Sequence, residues 1–145
     1  MMKPALIASL LAMVGSQALA AGPKFFFENE SWKSAAAIQC FDKSTGPSDG
    51  RACAEAEFAL QDARLNKAYK ALQALYTADQ KHHLLHEERG WIQFKERFCK
   101  VWGQEAESVN PGLAEDYYVL LCTSQVSSQR ASELEYALAQ HALAK

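Results

Sequence analysis

Apolar residues return at helical intervals along the segment CAEAEFALQDARLNKAYKALQALY, residues 53–76. Wound at about 100° per residue, Phe58, Leu65, Tyr69, Leu72 and Tyr76 fall in one stripe, which predicts an amphipathic helix that stops near Thr77. A second stripe, Leu84, Trp91, Phe98 and Trp102, predicts a helix over roughly residues 80–102 with Asp79 as its cap. Phe94 and Glu87 flank it on one side, Lys95 and Glu88 on the other. Gly90 inside this helix costs about 1 kcal/mol relative to Ala, which points to close packing there. GQEAESVNPG, residues 103–112, reads as the next break, with Asn110-Pro111-Gly112 as a strong turn signal. A third helix follows from about residue 113 to the end of the chain, with Val119, Val126, Leu134 and Ala137 on its apolar side.

Two charged residues interrupt these apolar faces. Asp62 lies about 40° from the centre of the first stripe, and Arg130 shares the inward direction of the third helix. A buried carboxylate needs a partner, so Asp62 and Arg130 are expected to pair, with Lys95 as the rival cation. Asn66 and Tyr69 complete a polar cluster, Asp62, Asn66, Tyr69 and Arg130, that fixes how the helices dock. The same four residues admit a binding-site reading.

Residues 21–50 lack a sustained pattern. A short helix is expected over 31–38 with Ser31 as N-cap. DKSTGPSDG, residues 42–50, reads as a loop. No strand pattern of any length appears. The expected fold is therefore all-α: a small, disulfide-stapled, antiparallel three-helix bundle with an irregular N-terminal extension.

Composition places this fold in a compartment. Residues 1–20, MMKPALIASLLAMVGSQALA, have a basic start, an apolar run and the ending Ala18-Leu19-Ala20, the layout of a cleaved signal peptide. The expected organisation is a signal peptide over 1–20, an extension and loop over 21–50, and a helical domain over 51–145. Cleavage leaves 14 basic against 17 acidic residues, a formal charge of −3. This mild acidity argues against nucleic acid and favours a basic partner. There is no second apolar span, so no membrane insertion is expected after cleavage, and the destination is the periplasm or the medium. Cys40, Cys53, Cys99 and Cys122 all lie in the exported part, an even set that reads as two disulfides. Zinc is the competing reading, but the spacings are wide and no C-x-x-C pair exists.

Cys40, Cys53-Ala54, the element Asp62-x-x-Leu65-Asn66-x-x-Tyr69, Trp91-x-x-Phe94, Cys99, Cys122 and Arg130-x-x-x-Leu134 form a framework over about residues 40–134. That framework resembles the LprI-type lysozyme-inhibitor family of small exported helical proteins. Glu88 stands where the family pattern carries Gln, Lys95-Glu96 where it carries Arg-Asp, and Ser127 where Thr is common. These exchanges keep polarity. The resemblance implies a helical exported protein and, as activity, inhibition of lysozyme.

Among the three possible cysteine pairings, Cys40–Cys53 with Cys99–Cys122 is the one chosen. The first closes the turn-rich loop, and the second ties the second helix to the third beyond the Asn110 turn. A Cys53–Cys99 bond remains an alternative.

Catalysis is not expected. Glycoside hydrolysis needs two carboxylates across an open cleft, which a small aromatic-filled bundle gives little room for, and oxidised cysteines are not nucleophiles. No phosphate loop or nucleophile elbow is present, and no residue set calls for a cofactor. His82 and His86 share a helical face, and His141 is the nearest candidate for a third ligand, but the exposed-face reading is preferred and no metal is expected. Phe25, Phe26 and Phe27 with Trp32 read as cover for one end of the core, with an exposed partner patch as the alternative. The expected function is binding and inhibition of a lysozyme or another cell-wall hydrolase. The alternative is a non-catalytic envelope adaptor or immunity protein. The candidate contact loop is 42–51, with Asp42, Lys43, Asp49 and Arg51, which a disulfide would hold ready for binding.

Overall fold

The computed structural model describes residues 30–143. The expected signal peptide over 1–20 and Phe25, Phe26 and Phe27 lie outside the described residues. The described chain is helical throughout: a 3-10 turn, Glu30–Trp32, then α1 (Ala35–Lys43), α2 (Pro47–Leu75), α3 (Ala78–Val109) and α4 (Glu115–Leu143). The three predicted long helices are α2, α3 and α4, but α3 runs on through most of the expected break over 103–112 and ends only at Val109, before Asn110-Pro111-Gly112.

The fourth helix, α1, corrects the three-helix expectation. Ser34, not Ser31, caps it: the Ser34 hydroxyl accepts a hydrogen bond from the Ala37 amide at 3.0 Å. The alanines that follow favour helix, which displaces the expected 31–38 helix toward the C-terminus. The predicted 42–50 loop shrinks for a related reason. Asp42 and Lys43 finish α1, and Pro47 opens α2, where its missing N–H costs nothing. A proline read as a turn signal is here a helix start.

At the next junction Thr77, not Asp79, is the cap of α3. Its hydroxyl accepts from the Gln80 amide at 3.4 Å, and the Gln80 side chain accepts from the Thr77 amide at 3.0 Å, a reciprocal capping box. The close packing expected at Gly90 is not there: no atom lies within 4 Å of where a Cβ would stand. It sits instead at Gly103, against Val119 and the Glu115 carbonyl.

Helix α4 is the centre of the architecture. It packs along α2 and along α3, while α2 and α3 share little packing with each other. Contacts of Arg51 with Asp116, Arg64 with Glu135 and Tyr76 with His141 run in the same order along both helices, so α2 and α4 are parallel. Cys99 with Cys122 and Glu88 with Arg130 run in opposite order, so α3 and α4 are antiparallel. Enclosure of α4 explains why Ser124 to Ser128 are buried in succession, on all sides of the helix.

Two apolar clusters hold this arrangement. One joins Leu65, Ala68 and Leu72 of α2, Leu84 of α3, and Ala131 and Leu134 of α4. The other surrounds the Cys99–Cys122 bond, with Val126 and the half-buried Trp91, Phe98, Trp102 and Val119. Removal of these side chains from water is the main force holding the helices together.

Candidate functional site

The buried carboxylate of α2 is Glu57, not Asp62. The observed buried face of α2 runs through Ala54, Glu57, Gln61, Leu65, Ala68 and Leu72, rotated by about 60° from the apolar stripe. Phe58 is left half-buried and Leu60 46% exposed. This rotation turns Glu57 inward, where it is 2% exposed, and carries Asp62 to the flank.

Glu57 anchors a chain of polar contacts. Its carboxylate accepts from the Ser34 amide at 2.9 Å, the Ser34 hydroxyl at 2.6 Å and the Gln61 amide group at 2.7 Å. Gln61 also donates to the Trp32 carbonyl at 3.3 Å and accepts from Arg64 at 2.8 Å. Arg64 grips Glu135 of α4 with two nitrogens, at 2.8 and 2.6 Å, and donates to Ser132. The hydrogen bond to Glu135 holds the Arg64 pKa above its ordinary value against the opposing effect of burial, and holds that of Glu135 below its own. The network fastens α1 and the 3-10 turn to α2 and α4. Its sequence signal was a Glu-x-x-x-Gln-x-x-Arg run at helical spacing, 57, 61 and 64, masked by the apolar stripe beside it.

The expected cluster of Asp62, Asn66, Tyr69 and Arg130 does not assemble. Asp62 is half-buried and accepts from the Asn66 side chain at 2.9 Å on the flank of α2, and the Tyr69 hydroxyl accepts from Gln73 at 2.7 Å. Arg130 turns to α3 instead, where its Nε donates to Glu88 at 2.7 Å, while its NH1 donates to Glu133 of its own helix at 2.8 Å. Glu87 lies 3.8 Å away. Burial opposes the charge of Arg130, but bonds to Glu133 and Glu88 outweigh it and hold the pKa above the usual guanidinium value. Lys95, the rival cation, lies 4.8 Å over the Trp91 ring.

The bonds Cys40–Cys53 and Cys99–Cys122 are formed, and the described residues contain no free cysteine. Of the candidate contact residues, Asp49 accepts from the Thr45 amide and hydroxyl, and Arg51 pairs with Asp116 and Glu55. Thr45 lowers the Asp49 pKa through these bonds. Asp42, Lys43, Asp49 and Arg51 are all exposed, at a helix–helix corner and not on an extended loop. His82, His83 and His86 are exposed at the start of α3, and no group of three or more His, Cys, Asp or Glu is gathered for a metal ion among the described residues. No described helix is long and apolar enough to cross a membrane.

The LprI family, described as "Lysozyme inhibitor LprI", matches residues 40–134, which covers α2, α3 and most of α4. The chain belongs to the LprI family. No curated protein and no solved structure matches it. The LprI match begins at Cys40, so it includes both disulfides and ends at the buried Leu134. It also spans the Arg130–Glu88 pair. Within the LprI motif, Leu65 enters the core and the half-buried Tyr69 packs against it, whereas Asp62 and Asn66 lie on the flank of α2.

Proposed function

We propose that this protein is a non-catalytic binder that inhibits a peptidoglycan-cleaving lysozyme in the periplasm or the medium. Membership of the LprI family carries the reading. The charge of −3 on the cleaved chain supports it, because lysozymes of the common animal type are basic, and opposite charge speeds and orients encounter. Two disulfides in so short a chain suit an oxidising compartment.

A cell-wall lysis assay with the purified chain from residue 21 tests this. The protein should slow lysis by at least one lysozyme class, and added salt should weaken the effect. Absence of inhibition against animal-type, goose-type and bacterial lysozymes at high micromolar protein would replace it with an envelope adaptor or immunity role.

A further inference from the structure

At the end of the molecule remote from α1, helices α3 and α4 leave a groove of about 280 Å³ above the last turns of α2. Its floor is apolar, with Leu72 0%, Leu84 5% and Leu134 3% exposed. Ala137 and Tyr76 also line it. The mouth is acidic. Glu87 and Glu133 stand there with side chains 67% and 63% exposed.

Arg130 lies between them, but its charge is directed inward. Its Nε and NH2 both face Glu88, whose side chain is only 8% exposed. Glu133 meets Arg130 through one oxygen at 2.8 Å, and Glu87 through one oxygen at 3.8 Å. Glu87, the buried Glu88 and Glu133 against one guanidinium leave a net charge of −2 around an apolar slot that Gln80 and His83 also line.

This combination selects its occupant. An anion would meet a net negative charge there, since one guanidinium is shared among three carboxylates. A purely aliphatic side chain would fill the floor but strip water from those carboxylates without replacing it. A lysine or arginine side chain matches both parts, since its methylene stem covers apolar surface while its head stays at the polar rim. At about 280 Å³ the groove has room for one long side chain.

We infer that this groove receives a lysine or arginine side chain from a basic protein partner. That the partner is a lysozyme rests on the function proposed above. Glu87 and Glu133 receive the cation, and Arg130 is a positioning residue that holds both carboxylates in place.

Two measurements separate the groove from the wider function. In the first, amide NMR shifts of the oxidised chain are followed while Nα-acetyl-arginine amide is added, with the neutral isostere Nα-acetyl-citrulline amide as control. Shifts at Leu72, Leu84, Leu134 and Ala137 with the arginine probe alone, lost in the Glu87→Gln/Glu133→Gln variant, support the inference. Equal response to citrulline, or no response at about 50 mM, a concentration well above millimolar dissociation constants, overturns it.

In the second, that double variant is compared with wild type in the lysis assay, after its melting temperature has been matched. A loss of about tenfold or more in inhibition, the scale of one lost charge pair, supports the inference. Equal inhibition by both proteins overturns the groove as the contact and leaves the proposed function standing. If wild type inhibits no lysozyme, the proposed function fails, and the arginine titration decides the groove on its own.

Discussion

The guanidinium of Arg130 on α4 and the carboxylate of Glu88 on α3 form an ion pair inside the protein, with the Arg130 side chain 15% and the Glu88 side chain 8% exposed. Neither group has water enough to tolerate the loss of the other. Arg130→Leu should therefore cost about 3–5 kcal/mol, because it strands a buried carboxylate, whereas Glu88→Leu combined with Arg130→Leu should cost much less. Asp62→Ala should change stability by no more than about 0.5 kcal/mol, since Asp62 bonds only at the helix surface. Urea unfolding of the three variants checks this. An Asp62→Ala cost equal to that of Arg130→Leu would restore the Asp62–Arg130 pairing that the geometry rejects.

Why the sequence pointed to Asp62 follows from what α2 buries. Periodicity weights large apolar side chains, and Phe58, Tyr69 and Tyr76 dominate that sum. The buried face of α2 includes small and polar residues instead, Ala54, Glu57, Gln61 and Ala68, which carry little hydrophobic weight. Long-range signals fared better. The cysteine framework, the Asn110-Pro111-Gly112 turn and the α3 stripe were all legible, because each depends on local chemistry or on large aromatics. Glu88 was visible as a departure from the family pattern, Glu for Gln, but Asp62 stood as the expected partner of Arg130 and Glu88 was not read as one. What periodicity lacks is any information on which helix lies between the other two, and α4 holds that place.

Gly103 and Gly90 should respond to alanine in opposite directions. A Cβ at Gly103 would lie 2.5 Å from Val119 Cγ2 and 3.1 Å from the Glu115 carbonyl oxygen. Gly103→Ala must push α3 from α4 and should cost about 1–3 kcal/mol. At Gly90 no atom lies within 4 Å of the same position. Gly90→Ala should stabilise by about 0.5–1 kcal/mol through helix propensity alone. Thermal melts of the two variants distinguish a packing glycine from an unconstrained one, and a destabilising Gly90→Ala would contradict the open surroundings.

The two disulfides should differ in accessibility to reductant. Cys40 is exposed, whereas Cys99 is 0% and Cys122 3% exposed, inside an apolar cluster. Thiol–disulfide exchange needs a line of approach to sulfur. Under native conditions a mild reductant followed by alkylation should label Cys40 and Cys53 before Cys99 and Cys122. Loss of either bond should cost about 3 kcal/mol in the chain-entropy model. Simultaneous labelling of all four cysteines would mean that reduction proceeds through global unfolding.

Acid should weaken the fastening between α2 and α4. The Arg64 hydrogen bond lowers the pKa of Glu135 from its ordinary value of 4.5. A depressed carboxylate pKa means the unfolded chain binds the proton more readily. The contribution is therefore complete above the ordinary value and is lost as pH falls through the lower folded-state value. Glu135 is 42% exposed, so solvent screening keeps this contribution small. Urea midpoints measured between about pH 6 and pH 3 should fall less steeply for Glu135→Gln than for wild type. Identical slopes would show that the pair contributes nothing.

Glu57 offers the sharpest local test, because two of its three hydrogen bonds join α2 to the Ser34 cap of α1. Glu57→Gln keeps the shape but replaces one acceptor oxygen by a donor. In place of Oε1 that donor faces the Ser34 amide and the Gln61 side-chain nitrogen, both donors; in place of Oε2 it faces the Ser34 hydroxyl, whose own proton then loses its acceptor. One buried donor is left unmet, at a cost of about 1–3 kcal/mol. The effect should be regional. Amides of α1 from Ala37 to Phe41 should exchange with deuterium faster, since the Ser34 cap loses its anchor, while those around Cys99 and Cys122 keep their protection. The Cys40–Cys53 bond still tethers α1 to α2, so the helix should loosen without leaving. Unchanged α1 exchange in the variant would mean that the disulfide alone holds α1 in place and that the Glu57 network only fills space.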